Sequence, residues 1–599
     1  MEDKWTVAAK KADFSGIASE LNISPYLVRL MVNRGMTDPE EMRHYLWGTM
    51  DDLRSPYAMK DIEKGADIIR EVILSGGKIM ICGDYDADGV FSSYILKRTI
   101  TALGGQAYVN IPDRVKEGYG MNMRMAEEAV SSGFSAVVTC DNGIDTREPV
   151  KRLMEAGIRV VVTDHHEVPR DDDGKEILPD ADAVIDPKQD GCGYPFKGNC
   201  GCMVAYKLLQ VLTDRLSAAG DISILKAQQL MDDLTVYAAI ATVTDVMELK
   251  DENRIIVREG LKKLAKTKEP GLSAIMDVCS VDREKLSAYH IGFIIGPCFN
   301  AAGRLYNAYH AFDLLECRDH EKAFELASKL REMNDERKSL TEQAVKLAEK
   351  EIEEHPEIKK DSIFVLLMPP GTHESLAGII AGRLKEYYSR PVIAFTSVGN
   401  GIVKGSGRSI DEYDLMKNLS KYKELFINMG GHAAACGITM KKDDLEELSR
   451  RVNEDSPLTE DQLVKKVLID IPMPVQYMTS EFIRELDMME PFGKGNKKPL
   501  FAESHFNIMK AAVTGRNRNV IRMKVRNTSG HTCDAVLFGE PEKFIRFLTD
   551  SFGREECDRV FSGEPNNIDA ALSYYPAEDT WNGNTRIQIV IQNYCRISG

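Results

Sequence analysis

Long apolar runs are the first thing this 599-residue sequence lacks. No stretch approaches the about 20 uninterrupted apolar residues of a membrane-crossing helix, and the opening Met1-Glu-Asp-Lys-Trp-Thr has no basic-then-apolar leader layout. The expectation is a cytoplasmic protein with no membrane partner. The cysteines lack a framework: twelve are scattered, and the one near cluster, Cys192, Cys200 and Cys202, has neither a Cys-x-x-Cys pair nor a fourth ligand. That spacing fits reduced thiols better than disulfides and favours small buried side chains over a zinc site. A basic excess is missing as well. The formal net charge of −16 argues against nonspecific wrapping of duplex DNA. Screening beyond about 10 Å still allows a locally basic groove to bind nucleic acid inside an acidic protein.

What is present is a punctuated α/β pattern, too long for one core and suited to roughly three or four domains. The residues up to Gly77 carry apolar residues at helical spacing, as in Tyr26-Leu-Val-Arg-Leu-Met-Val and Ile62 to Leu74, and read as a helical lead-in packed on the α/β unit that comes after it. Short apolar runs then alternate with amphipathic helices: Ile79–Cys82, Ala107–Ile111, Ala136–Cys140, Val160–Thr163 and Ala183–Ile185. Such a series predicts a parallel sheet whose ligand crevice lies beyond the carboxyl ends of the strands.

The first run ends in Asp84-Tyr-Asp86-Ala-Asp88-Gly89. Alone, this reads first as a set of turn acids, and the calcium-loop alternative fails because no glutamate stands at the required place after it. The other runs change the balance. Asp141-Asn-Gly succeeds the third, Asp164-His165-His166 the fourth and Asp186-Pro the fifth, so acids and histidines from separate strands converge on one sheet edge. Clustered carboxylates repel unless a cation sits among them, which predicts a metal site. Asp245, at the end of a strongly apolar helix, opposes the helix dipole and joins the candidates.

Further on, Asn300-Ala-Ala-Gly-Arg304 places an arginine after a glycine-containing turn, and His320 to His355 reads as a long solvated helix bridging two domains. A second α/β unit begins at Ser362. Within it, Lys404-Gly-Ser406-Gly-Arg408 and Gly430-Gly-His432 combine close backbone approach with phosphate donors, although each also fits a tight hairpin. The last hundred or so residues are strand-rich with one expected helix, Glu542 to Leu548, and suggest an oligonucleotide-binding barrel. Arg516, Arg518, Arg522, Lys524 and Arg526 form its basic stripe, and Tyr574 and Tyr575 are candidates for stacking bases.

Taken together, Gly83-Asp-Tyr-Asp-Ala-Asp-Gly89, Asp141-Asn-Gly143, Asp164-His-His166, Asn300-Ala-Ala-Gly-Arg304, Gly405-Ser-Gly-Arg-Ser-Ile410, Gly430-Gly-His-Ala433 and Pro491-Phe-Gly-x-Gly-Asn496 resemble the RecJ exonucleases of the DHH phosphoesterase superfamily. The resemblance spans nearly the whole chain. It implies a helical lead-in (1–76), a DHH domain (77–318), a connecting helix (319–358), a DHHA1-type domain (359–458) and an OB-fold domain (459–599). It also implies two divalent cations, Mn²⁺ or Mg²⁺, held by Asp86, Asp88, Asp141, His165 and Asp245, with Asp141 bridging and Asp84 and His166 close by. Asn300, Arg304, Ser406, Arg408 and His432 would hold substrate phosphates. The implied activity is 5′→3′ hydrolysis of single-stranded DNA in repair and recombination, with single-strand-binding protein and a helicase as partners. The alternatives are a phosphodiesterase of short oligonucleotides or cyclic dinucleotides, and a noncatalytic replication scaffold. The pattern departs from the family's at Cys298, where arginine is usual, and at Thr372-His373, where Trp-His is usual; both bear on substrate handling.

Overall fold

Each apolar run that alternates with a helix in the first half is a strand of one parallel sheet. The computed structural model describes residues 3–515, 517–581 and 584–597. Strands β1 (Lys78–Cys82), β2 (Gln106–Asn110), β3 (Ala136–Cys140), β4 (Arg159–Thr163) and β5 (Ala183–Ile185) lie in the order β2-β1-β3-β4-β5. All the pairings are parallel. Helices cover both faces, so Ile79, Ile81 and Val138 enter one core while Met80, Val137 and Val160 enter another. Burial on both sides is why these strands read as continuous apolar runs. The chain winds in opposite senses from β1, so the crevice opens at the carboxyl ends of β1 and β3.

Helix α1 (Ala87–Ala102) starts directly after the first acidic motif, and α2 (Gly201–Ala218) and α3 (Ile224–Thr244) pack beside it. Residues Gly296–Leu305 are a helix, α4, entered through a π-helical turn over Ile291–Ile295, and not the expected glycine-containing turn. Burial of Phe299, Ala301 and Ala302 outweighs the about 1 kcal/mol that a helical glycine costs.

Helix α5 (His320–Glu354) runs for 35 residues. It bridges as expected but is solvated on one side only. Ala323, Ala327, Leu330 and Met333 belong to the core of the first sheet, whereas Ala344, Val345, Ala348 and Ile352 belong to that of the second. The second sheet comprises β6 (Phe364–Leu367), β7 (Val392–Gly399), β8 (Ile402–Arg408), β9 (Phe426–His432) and β10 (Ala435–Lys441), ordered β9-β10-β8-β7-β6. Both sheets and α5 fall in one compact unit, residues 49–463 with 493–495.

A second unit contains the C-terminal barrel. Strands β11 (Phe501–Thr514), β12 (Val520–Asn527), β13 (Thr532–Phe538), β14 (Asp569–Trp581) and β15 (Asn584–Arg596) pair in that ring order with β15 before β14, and β14 closes onto β11. Two helices, Pro541–Phe552 and Arg554–Ser562, stand where one was expected.

The helical lead-in requires a correction. Residues up to Gly48 belong to the barrel's unit. Leu27, Leu30, Met31 and Leu46 share a core with Phe482, Leu486 and Phe501, and the Lys4–Val7 strand pairs in parallel with Lys466–Ile469. Only the later part of the lead-in, including the helix Ile62–Leu74, packs against the parallel sheet. An amphipathic helix announces that it needs a partner, and not which one.

Candidate metal centre and phosphate-facing cleft

The acidic motif is built by a strand that stops and a helix that starts within a few residues. Asp86 is the N-cap of α1, its Oδ1 accepting from the Gly89 amide at 3.2 Å. A Cβ on Gly89 would stand 2.5 Å from the Asp84 backbone, so the tight return requires glycine. Asp84 accepts from the Gly120 amide at 3.2 Å. Asp88 turns to the N-terminus of α2, accepting from the amides of Gly201 (2.6 Å) and Cys202 (2.9 Å). A helix N-terminus favours a carboxylate in this position.

Asp141 adopts a left-handed backbone, φ 60°, at the end of β3. His165 Nε2 lies 3.1 Å from Asp141 Oδ1, 3.6 Å from Asp245 Oδ2 and 3.8 Å from Asp88 Oδ2. Three overlapping groups have ligand atoms within 4.8 Å of one another: Asp84, Asp86 and Asp141; Asp88, His165 and Asp245; Asp141, His165 and His166. Asp141 belongs to both the first and the third, and His165 links the second to the third. The candidates that the sequence drew from four separate segments therefore meet in one place, Asp84 among them.

The electrostatics say what that place is suited to hold. Asp84, Asp88 and Asp141 are at most 2% exposed. Burial, then the neighbouring acids, push Asp141 and Asp245 far above the carboxylate range, and burial with Asp86 lifts Asp88 to about 6. Burial, then the His166 charge, drops His165 to about 3. A neutral imidazole beside several buried acids is a cation's ligand set without compensating base. Among the described residues, His165 Nε2 and Asp245 Oδ2 have no hydrogen-bond partner. This donor set of carboxylates and one imidazole fits a hard divalent ion.

His166 plays a different part. Burial alone would depress it, but Asp164, accepting at 2.8 Å, lifts it to about 9. Its ring also meets Tyr119, whose hydroxyl donates to the Asp141 carbonyl at 2.6 Å. Asp186 joins none of the three groups. It accepts from the Lys188 amide at 2.7 Å and is lifted to about 8 by burial.

Behind the ligands lies a polar network with no sequence signal of its own. Lys207 and Glu252 form a fully buried pair at 2.9 Å. Glu252 also accepts from Tyr194 (2.5 Å) and Asn199 Nδ2 (2.9 Å). Asn199 immediately precedes the turn whose amides hold Asp88, and its backbone lies beside the His165 ring.

The second sheet faces a cleft of about 420 Å³ lined by Tyr85, Arg114, Lys404, Ser406, Gly430 and Gly437, among others. Ser406 and Arg408 are on β8, with Arg408 donating to Ser406 Oγ at 2.8 Å. His432 ends β9, exposed, and its charge is felt by Glu167. The glycine-rich histidine motif is thus a β9–β10 hairpin that lines the cleft. Arg304 donates to the Ser375 carbonyl at 3.2 Å, and burial with repulsion from Arg114 and Arg337 lowers it to about 10. Asn300 instead accepts from the Ala87 amide at 2.8 Å, bracing the start of α1.

The sequence reading missed Arg114 and Arg337. Arg114 lies 4.6 Å over the Tyr85 ring and depresses both Arg304 and Arg408. It stands just after β2, beside Asp113, and a single arginine there gives no sequence pattern. Arg337 lies on the helix read as solvated, yet it is hydrogen-bonded to the buried Asn334.

Family models match the DHH family N-terminal domain over 78–242, the DHHA1 domain over 360–455 and the RecJ OB domain over 469–593. The chain is 34% identical to the single-stranded-DNA-specific exonuclease RecJ of Bacillus subtilis over 90% of its own length and 66%, just under two thirds, of that protein. It is 30% identical to RecJ of Escherichia coli over 95% of its length and 96% of the relative. The chain belongs to the RecJ family. RecJ membership makes it a DHH phosphoesterase. The Mn²⁺ complex of RecJ from Thermus thermophilus shares its fold, with a TM-score of 0.79 at 24% identity over all of this chain and 80% of that one. A second RecJ structure bound to manganese has a TM-score of 0.56 at 30% identity, over 67% of this chain and 96% of that one.

The RecJ-type barrel corrects one expectation and sharpens another. Tyr574 and Tyr575 are buried, Tyr574 donating to the Met473 carbonyl and Tyr575 lying under Lys498, so neither can stack bases. Arg522, Lys524 and Arg526 alternate outward along β12, while Ile521, Met523 and Val525 point inward. Arg518 is exposed in the β11–β12 turn, and Arg516 lies outside the described residues.

Proposed function

We propose that this protein is an exonuclease that hydrolyses single-stranded DNA from its 5′ end, using two divalent cations, Mn²⁺ or Mg²⁺. Asp84, Asp86 and Asp141 would hold one ion, and Asp88, His165 and Asp245 the other, with Asp141 shared between them. When bound, such a pair supplies hydroxide near neutral pH and neutralises charge on the attacked phosphate. The chain's own residues do the rest. Buried carboxylates fix the ion positions, while Arg304, Arg408 and Arg114 draw the phosphate into the cleft. His166, bonded to Asp164 and beside Asp141 and His165, is placed to pass a proton to the leaving oxygen.

The observation that carries this reading is the meeting of buried acids and a neutral His165, with no other basic side chain among the described residues hydrogen-bonded to them, in a unit whose second sheet faces a cleft beside Arg114. A barrel with an outward basic stripe favours strands over the short oligonucleotides or cyclic dinucleotides of the alternative enzyme. The intact ligand set argues against a noncatalytic scaffold. Repair and recombination, with single-strand-binding protein and a helicase as partners, rest on family membership alone.

Digestion of single strands labelled separately at each end, with Mn²⁺, Mg²⁺ and chelator compared, tests the proposal. Mononucleotide release from the 5′ label in either metal, and none in chelator, is expected. Survival of the strands at high enzyme, or release beginning at the 3′ label, would sink it.

A further inference from the structure

Two thiols outside the metal centre lie in contact. Cys279 ends the helix Pro270–Val278 and Cys298 is in the first turn of α4, and their sulfurs are 3.8 Å apart. Cys279 is 7% exposed and Cys298 fully buried, so a small solute reaches Cys279 first. The hydrogen-bonding contact with Cys298, and after it Arg331, hold the Cys279 thiol down at about 6, in the range of reactive cysteines. Cys298 is also tied to Arg337, whose charge bears on Arg304. Asn334 donates to its sulfur at 3.5 Å, and the other side of the same amide accepts from Arg337 at 2.8 and 3.1 Å. Two residues further along α4 is Asn300, which braces the start of α1, and Arg304 comes one turn later.

We infer that Cys279 and Cys298 form a peroxide-oxidisable dithiol whose closure to a disulfide displaces α4 and slows the enzyme. The chemistry balances with a hydroperoxide as oxidant. The Cys279 thiolate attacks one peroxide oxygen, the O–O bond breaks, and the departing oxygen takes a proton, leaving a sulfenic acid on Cys279. The Cys298 sulfur then attacks that sulfur, gives up its proton and expels hydroxide, which leaves as water. Two thiols and one peroxide become one disulfide, water and an alcohol or second water.

Bonded sulfurs lie about 2 Å apart, so closure draws α4 and the end of the helix Pro270–Val278 together and takes Cys298 away from Asn334. The amide that orients Arg337 loses its anchor, and the helix bearing Asn300 and Arg304 shifts. A displacement of this size at a positioned group costs about 100-fold in favourable cases.

The slowing rests on the nuclease reading, so the test has two readouts that do not. The full-length reduced protein is treated with hydrogen peroxide in chelator, quenched with catalase, alkylated, and analysed by non-reducing peptide mass spectrometry and by amide exchange over residues 296–305. Mn²⁺ is then restored and single-strand digestion measured. The expected result is a Cys279–Cys298 linked peptide, altered exchange over 296–305 and at least about tenfold slower digestion, all reversed by dithiothreitol. C279S should digest at the reduced rate before and after peroxide. C298S, whose hydroxyl can still accept from Asn334, serves the same purpose if C279S does not fold. Thiols that remain separately alkylated, or a linked peptide without change in exchange, would overturn the inference. Absence of digestion before peroxide would instead defeat the nuclease reading, leaving linkage and exchange to decide this one.

Discussion

Asp141 holds a charge where the fold alone would not keep one. It is buried, surrounded by Asp84, Asp86, Asp88 and Asp245, and its carboxyl is pushed far above its ordinary range by burial and by those neighbours. Asparagine tolerates the left-handed backbone that Asp141 adopts and removes the repulsion. We predict that D141N lowers digestion about 100-fold or more and loses thermal stabilisation by Mn²⁺. The same variant in chelator should be more stable than the parent by about 1–2 kcal/mol; a less stable chelated variant in denaturant melts would contradict the strain argument.

His166 makes a second prediction. Its folded pKa, about 9, lies above the ordinary 6.5, so its contribution to stability is complete below about 6.5 and disappears as pH rises through about 9. In chelator the melting temperature should fall across that interval, and H166Q should flatten the fall. The acids, His165 and His166 were legible because each ends an apolar run. Arg114 was not, because a lone arginine after a strand gives no pattern until the fold brings Tyr85, Arg304 and Arg408 around it.

At the level of elements, the site depends on where helices begin. The first residue of α2, Gly201, leaves no room for a side chain: a Cβ would meet Asp141 Cβ at 2.5 Å and Oδ1 at 2.8 Å. G201A should cost about 1–3 kcal/mol and reduce digestion about 100-fold by moving Asp141 or the amides that hold Asp88; normal Mn²⁺ affinity in a calorimetric titration would refute it. Further along the same helix, K207M leaves Glu252 buried without its cation, and breaking one side of such a pair costs about 3–5 kcal/mol. Urea melts check this. Loss confined to activity, with stability unchanged, would assign Lys207 a direct role instead.

Period and punctuation made the parallel sheet and α5 readable, since uninterrupted β-runs and a 35-residue helix leave few alternatives. Helix α4 was not, because glycines at 296 and 303 look like a turn until Phe299 and Ala302 are seen to be buried. The Lys207–Glu252 pair was equally invisible: charged residues 45 positions apart carry no sign that they will meet.

For the whole molecule, sequence order misleads about which parts belong together. The barrel's strands were expected from alternation, and the outward stripe of Arg522, Lys524 and Arg526 comes from a period of two. Replacing all three by alanine should weaken single-strand binding and reduce the magnitude of its salt slope by about 2, measured by fluorescence anisotropy across a salt series. An unchanged slope would remove the stripe from the DNA path. The tyrosines were misjudged because stacking and core packing favour the same residue type.

The Lys4–Val7 strand and the helices after it are made first, whereas their partners, Lys466–Ile469, Phe482 and Phe501, come roughly 450 residues later. At about 5–20 residues per second, the apolar faces of Leu27, Leu30 and Met31 wait about 20–90 s for anything to cover them. Throughout that interval the catalytic unit can emerge and fold between two unfinished ends. The barrel's unit thus closes only after Phe501 has been made, and until then its earlier helices stay open to chaperones and to aggregation.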